Sequence, residues 1–277
     1  MANLFRRMLG TSADPDAAAP AGDTTDWAQQ ARFLGLRDAA LSGFYRTKDS
    51  EVFRGIPVGA DDVVVDVGCG EGAALAFCAR LDATVIAVDH HEETLAAARA
   101  TLEGQGRGAR EFHAAAAEDL PLPDATASRV LCMEVLEHVN DPVKALAELA
   151  RIGRPGALYL LTVPDPRGEA LQQVMAPESY FQPPNHIRVI GREEFADLVT
   201  GAGLEIIDRE FYGFYWALWY ALFWSRGVEI EDPDDPVLEH WSKAWSALLD
   251  SPNGPEIKEQ LDHFMAKSQV IVARKPD

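Results

Sequence analysis

The chain has 277 residues, 47% of them apolar and 25% charged, a composition that suits one large globular core with an elaboration. A formal charge of −19 repels a phosphate backbone over most of the surface, so nucleic acid is disfavoured as a partner. The three cysteines, Cys69, Cys78 and Cys132, each lie in or beside an apolar segment, which fits buried thiols in a reducing, cytoplasmic setting and excludes a disulfide framework.

In chain order, MANLFRRMLG lacks the apolar stretch and cleavage site of a secretory signal, and SADPDAAAPAGD has the composition of a linker. Residues 1–25 are therefore expected to be disordered or frayed, followed by a helical cap over 26–60. Strand and helix patterns then alternate through a core expected over 61–210. DVVVDV runs into glycines as a buried parallel strand does, and ATVIAVD, AREFHAA, SRVLCM and ALYLLTV follow as strands. HEETLAAARATL and VKALAELARI read as helices, the second opened by Asn140 or Asp141 with Pro142. MEVLEHV, directly after the fourth strand, also reads as helical, which would place Glu134, Glu137 and His138 on one face. GREEFADLVTGAG, LEIIDREF and the terminal SQVIVAR add a helix and two strands, with a helical, aromatic-rich insertion or lid over 211–267 and the last strand and tail over 268–277. The alternation predicts an α/β fold: a Rossmann-like, mostly parallel seven-stranded sheet with helices on both faces and an antiparallel final strand.

Chemically distinctive residues collect at the carboxyl ends of these strands, where such sheets bind ligands. VDVGCGEG spaces Asp66, Gly68, Gly70 and Gly72 as D-x-G-x-G-x-G between a strand and a helix, so that backbone can approach a ligand closely. Asp89 closes the second strand, 19 residues beyond Gly70, where a carboxylate can take both hydroxyls of a ribose. Gly68, Gly70 and Ala73 also fit the dinucleotide pattern of an NAD(P)-dependent oxidoreductase, but nothing in the sequence looks like a hydride-transfer domain.

The succession VVVDVGCGEG, AVDHHEETLAAAR, AEDLPLPD, VLCMEVLEHVNDP and RPGALYLLTVPD resembles the class I S-adenosylmethionine-dependent methyltransferases over roughly residues 50–210 plus the last strand. The resemblance implies that the Gly68–Gly72 loop, including Cys69, cradles the methionine part of S-adenosylmethionine near Asp66. It implies that Asp89 holds the ribose, that His90 lies against the adenine, and that Ala117 and Glu118 contact the adenine edge. Cys132 and Met133 would meet the methionine moiety through their backbone. The chain departs from many members in having Ala115 and Ala116 where they have Gly-Asp.

The E-x-x-E-H pattern is similar to stretches in the ubiquinone-biosynthesis O-methyltransferases and in the small-RNA 3′-end 2′-O-methyltransferases, the latter using it with a downstream histidine to hold Mg²⁺. Here the downstream candidate is His186. Glu134, Glu137, His138 and His186 would suit Mg²⁺ or another divalent metal; in a metal-free pocket His138, with Glu134, would be the catalytic candidate, as general base or orienter. FYGFYWALWYALFW, residues 211–224, gathers nine of the chain's 24 aromatics and is too short to span a bilayer, which needs ~20 residues. It is compatible with a core helix, a homodimer contact, the wall of a pocket for an apolar or aromatic acceptor, or a surface that dips into lipid. The expected function is methyl transfer to an oxygen of a small molecule. The alternatives are an RNA 2′-O-methyltransferase, an NAD(P)-dependent oxidoreductase, and a non-catalytic S-adenosylmethionine-binding interaction protein.

Overall fold

The computed structural model describes residues 27–183, 185–228 and 235–277, with the side chains of 27–33 left aside. The expectation of a disordered segment over 1–25, and of a chain break at EDPDDP up to Asp234, lies outside the described residues.

The central sheet has the seven strands β4 (Val63–Val67), β5 (Thr84–Asp89), β6 (Arg110–Ala114), β7 (Ala127–Met133), β8 (Gly153–Pro164), β9 (Glu205–Tyr212) and β10 (Ser268–Arg274), ordered β6-β5-β4-β7-β8-β10-β9. β6, β5, β4, β7 and β8 pair in parallel, while β10 is antiparallel to both β8 and β9. Helices α2 (Ala73–Arg80), α3 (Glu92–Leu102), α4 (Pro142–Ile152), α5 (Pro166–Met175) and α6 (Arg192–Gly201) alternate with these strands. The sequence anticipated this architecture. The chain works outward from β4 to β6 and then jumps back to lay β7 against β4, so the strand order reverses there and opens a crevice at the strands' carboxyl ends.

Each strand serves two cores by alternation. Val64, Val85, Leu131 and Leu160 face one side; Val65, Ile86, Val130, Tyr159 and Leu161 face the other, under α4 and α6. The first side is closed by the insertion, which forms α7 (Phe214–Arg226), α8 (Pro236–Leu249) and α9 (Gly254–Phe264). Trp216, Trp219, Tyr215 and Trp245 are buried, and Trp219 stacks on Phe223 at 5.4 Å. The rings that the sequence left free for a lipid or dimer surface are thus largely consumed within their own chain. Among the described residues no helix is long and apolar enough to cross a membrane.

The segment 26–60 departs from the expected helical cap. It is α-helical over α1 (Trp27–Leu41), then forms an antiparallel meander of β1 (Phe44–Arg46), β2 (Glu51–Phe53) and β3 (Ile56–Pro57), with a single 3₁₀ turn at Thr47–Asp49 between the first two strands. Gly43 at φ 108° turns the chain out of the helix, and Phe44 and Phe53 pack edge to face across the β1–β2 pair. Gly35 lets α1 lie directly on the aromatic helix, since a Cβ there would stand 2.3 Å from Trp216.

A buried polar junction fastens α1 to the insertion. The Lys258 ammonium donates to Asp262 Oδ2 at 2.5 Å and to Ser42 Oγ at 2.6 Å, and lies 3.8 Å from Asp38 Oδ2. Trp245 Nε1 donates to Asp38 Oδ1 at 2.9 Å. Lys258→Met should leave two buried carboxylates without their cation and cost about 3–5 kcal/mol, read as a lower urea midpoint. Burial, opposed by the Lys258 charge, pushes the Asp38 carboxyl from 3.8 up to about 6. The folded chain therefore keeps a proton that the unfolded chain has released. This contribution to stability is full below about pH 4 and lost as pH rises through about 6. Asp38→Asn should flatten the fall in thermal midpoint across that window.

Candidate active site

The glycine loop follows β4. Gly68, Gly70 and Gly72 all have positive φ, at 72°, 56° and 83°. At Gly72 a Cβ would also stand 3.2 Å from that of Ala98 on α3, so the position needs glycine for both its conformation and its space. The N–H groups of Gly68 and Cys69 donate to the Val88 carbonyl at 2.7 and 3.0 Å. The Asp89 carboxylate accepts from Gly70 N–H and His91 N–H, both at 3.1 Å. Asp89 thereby clamps the loop to the end of β5.

An open crevice lies beside this loop. Asp66, Gly68, Cys69 and Met133 line it from the sheet side, Phe44, Tyr45 and Tyr212 from the meander and the end of β9, and Glu134 from the end of β7. A polar glycine-lined end and an aromatic wall in one crevice fit a cofactor with an ammonium and carboxylate at one end. Cys132 is fully buried in the core under the other sheet face, so only its backbone is on offer. His90 is exposed, with Nδ1 3.6 Å from Asp89 Oδ1 and its ring 3.6 Å from that of His91. Ala117 is buried. The Glu118 carboxylate accepts from Asn140 N–H at 3.0 Å, so it braces the loop before α4.

MEVLEHV is not a helix. β7 ends at Met133, Glu134 takes the left-handed conformation at φ 55°, and the chain then turns until Asp141 caps α4 by accepting from Lys144 N–H at 3.0 Å. The cause is contact with distant chain. Glu134 N–H donates to the Thr162 carbonyl at 2.9 Å, Thr162 Oγ1 donates to Glu134 Oε1 at 3.0 Å, and the Lys267 ammonium donates to Glu134 Oε2. Burial raises the pKa of Glu134, but the Lys267 charge and hydrogen bond outweigh it and hold the carboxyl below its usual range. Lys267, despite its burial, is held above the usual lysine range by Glu134 and, more weakly, by Glu137 and Glu169.

The turn separates the residues that a helix would have aligned. Glu137 and His138 meet His186 from the loop before α6, with one ligand atom of each within 4.8 Å of the others. Glu137 Oε1 is 3.6 Å from His138 Nε2, and the two imidazole centroids are 5.1 Å apart. His138 Nδ1–H donates to the Asn185 carbonyl and His186 Nδ1–H to Glu169 Oε2, each at 2.9 Å. In a neutral imidazole each of these bonds selects the tautomer that puts the lone pair on Nε2. Such carboxylate–imidazole and carbonyl–imidazole pairs orient metal ligands, so the trio fits a divalent cation. Of the four residues expected to gather, the structure brings together Glu137, His138 and His186, while Glu134 is turned to Lys267. Sequence reasoning missed Glu169, Lys267, Thr162 and Tyr180, whose hydroxyl donates to Glu169 Oε1 at 3.4 Å. None of these carries a spacing signal, because each reaches the site from a separate segment.

A family profile described as "Methyltransferase domain" matches residues 65–161. The chain is 30% identical over 185 residues to a ubiquinone biosynthesis O-methyltransferase of Rhizobium leguminosarum bv. trifolii, covering 64% of this chain and 71% of that protein. In fold it is similar to a geranyl diphosphate C-methyltransferase of Streptomyces coelicolor, with TM-score 0.59, 14% identity, and 99% and 97% of the two chains covered. It is also similar to an S-adenosylmethionine-dependent methyltransferase of Methanosarcina mazei, with TM-score 0.52, 17% identity, and 79% and 94% covered. With the glycine crevice at the switch point of its sheet, the chain belongs to the S-adenosylmethionine-dependent methyltransferases. Asp89→Ala should free the glycine loop and weaken S-adenosylmethionine binding about 10- to 100-fold by calorimetry, the scale of losing hydrogen bonds to a charged group.

Proposed function

We propose that the protein methylates a hydroxyl oxygen of a small-molecule acceptor, with a divalent cation held by Glu137, His138 and His186. The observation that carries this reading is the convergence of those three donors, two of them on the turn that follows the crevice-lining Glu134, with both Nδ1 atoms engaged elsewhere. The name of the Rhizobium relative, an O-methyltransferase, supports the choice of oxygen. The net charge of −19 weighs against an RNA acceptor.

Within this reading the Gly68–Gly72 loop and Asp66 hold the methionine end of the cofactor. Asp89 takes the ribose, and the backbone at Ala117 and Glu118, with His90, borders the adenine. The bound cofactor supplies an electrophilic methyl group on its sulfonium. Phe44, Tyr45, Met133 and Tyr212 exclude water and orient a planar or apolar acceptor for in-line attack. A divalent cation at the trio would supply Lewis acidity that lowers the pKa of the acceptor hydroxyl. Glu169 holds the His186 ring in place, and Asn185 does the same for His138.

Formation of S-adenosylhomocysteine with a panel of phenols and aliphatic alcohols, with and without a chelator, tests the proposal. His138→Ala and His186→Ala should each lower turnover by about 10²–10⁴-fold, the scale of proton-transfer assistance, while cofactor affinity stays within about threefold. Chelator should abolish the wild-type rate and Mg²⁺ or Mn²⁺ restore it. Chelator-insensitive turnover that still collapses in His138→Ala would make His138 a general base and remove the cation. No product with any hydroxyl acceptor would sink the oxygen assignment.

A further inference from the structure

The sequence offers four ligands, Glu134, Glu137, His138 and His186, whereas the structure delivers three. What removes the fourth is a lysine far away in the chain. Lys267 precedes β10 and is fixed by its own backbone: its N–H donates to the Tyr212 carbonyl at 3.0 Å, and its carbonyl accepts from Asp165 N–H at 2.9 Å. Its ammonium donates to Glu134 Oε2 in a buried ion pair, while Thr162 Oγ1 occupies Oε1. Glu134 keeps this posture at a positive φ of 55°, a conformation that a non-glycine residue adopts only when its surroundings impose it.

We propose that Lys267 withholds Glu134 from the cation, so that Glu137, His138 and His186 hold it with three protein ligands instead of four and leave one more coordination position for the acceptor. The inference rests on the reading that a divalent cation binds this trio. Its consequence is chemical. A six-coordinate Mg²⁺ or Mn²⁺ held by three protein ligands keeps three positions for water and substrate oxygens, whereas a fourth protein ligand would leave two. Two carboxylates would also bind a dication more strongly than one, at the expense of the Lewis acidity available to an acceptor. Lys267 is therefore a positioning residue: it acts through Glu134 on the ligand set, and its place in the chain keeps it invisible to any motif built on E-x-x-E-H.

The test uses the full chain and the metal alone. Mn²⁺ affinity is measured by titration, and the visible absorption of bound Co²⁺ reports the number and type of ligands, for wild type, Lys267→Met and Lys267→Met/Glu134→Gln. Lys267→Met should bind Mn²⁺ about tenfold more tightly, the scale on which outer partners tune metal affinity. Its Co²⁺ band should move to that of a site with an added carboxylate. The double variant should return to within about threefold of wild type, with the wild-type band. Lys267→Gln, which keeps a donor for Glu134 without the charge, is measured alongside and should shift the same way by less, so a poorly folded Met variant does not decide the matter. Wild-type binding with unchanged affinity and band in both Lys267 variants overturns this inference alone. Absence of Mn²⁺ and Co²⁺ binding by every form overturns the cation reading, and this inference with it. Binding by the Lys267 variants but not by wild type overturns the three-ligand site, because the trio would then hold no cation without Glu134.

Discussion

The site depends on one topological constraint, the jump that returns the chain from the β6 edge to lay β7 against β4. Two parallel strands whose following segments depart in opposite directions cannot both be covered at their carboxyl ends, and the gap becomes a crevice. On one lip stands the glycine loop, held down by Asp89 and the Val88 carbonyl. On the other stands Met133, beyond which Glu134 must turn away because Thr162 and Lys267 hold its backbone and carboxylate. The left-handed turn at Glu134 is therefore tied to the same place in the fold as the glycine loop, and it carries Glu137 and His138 toward His186.

Burial decides which charges can serve there. Glu134, Glu137, Glu169 and Lys267 are collected in a largely buried region between β7, β8, α5 and the start of β10. An isolated buried carboxylate is expensive, so each must be matched by a proton, a hydrogen-bond donor or a cation. Lys267 answers for Glu134; the imidazole of His186 and the hydroxyl of Tyr180 answer for Glu169. The arrangement divides one acidic cluster into a neutralised half beside the crevice and a histidine-bearing half beyond it.

The parts of this that short-range chemistry dictates were legible in the sequence. β-branched runs ending in glycines gave β4 and its loop, the residue at the end of β5 was marked by its charge, and Asp141 with Pro142 marked the start of α4. The helical reading of MEVLEHV failed because spacing alone favours a helix, while what prevents it is supplied by Thr162 and Lys267, 28 and 133 residues away. The meander over residues 44–57 was missed for a related reason: its strands are two or three residues long, too short to show alternation. The aromatic stretch was seen as apolar, but whether its rings faced a ligand, a partner or the core was decided by α1 and α8, whose contacts no local pattern reveals.

The distribution of the crevice along the chain has a further meaning. The profile match over residues 65–161 contains the glycine loop, Asp89, Glu137 and His138, yet Phe44, Tyr45, His186, Tyr212 and Lys267 all fall outside it. The matched stretch thus holds the glycine loop, while the aromatic wall of the crevice is built from segments on either side of it. Substitutions in the meander or at the end of β9 can reshape this aromatic wall while the glycine loop stays intact. If the wall selects the acceptor as proposed, a protein built this way can change what it methylates without relearning how to bind its cofactor.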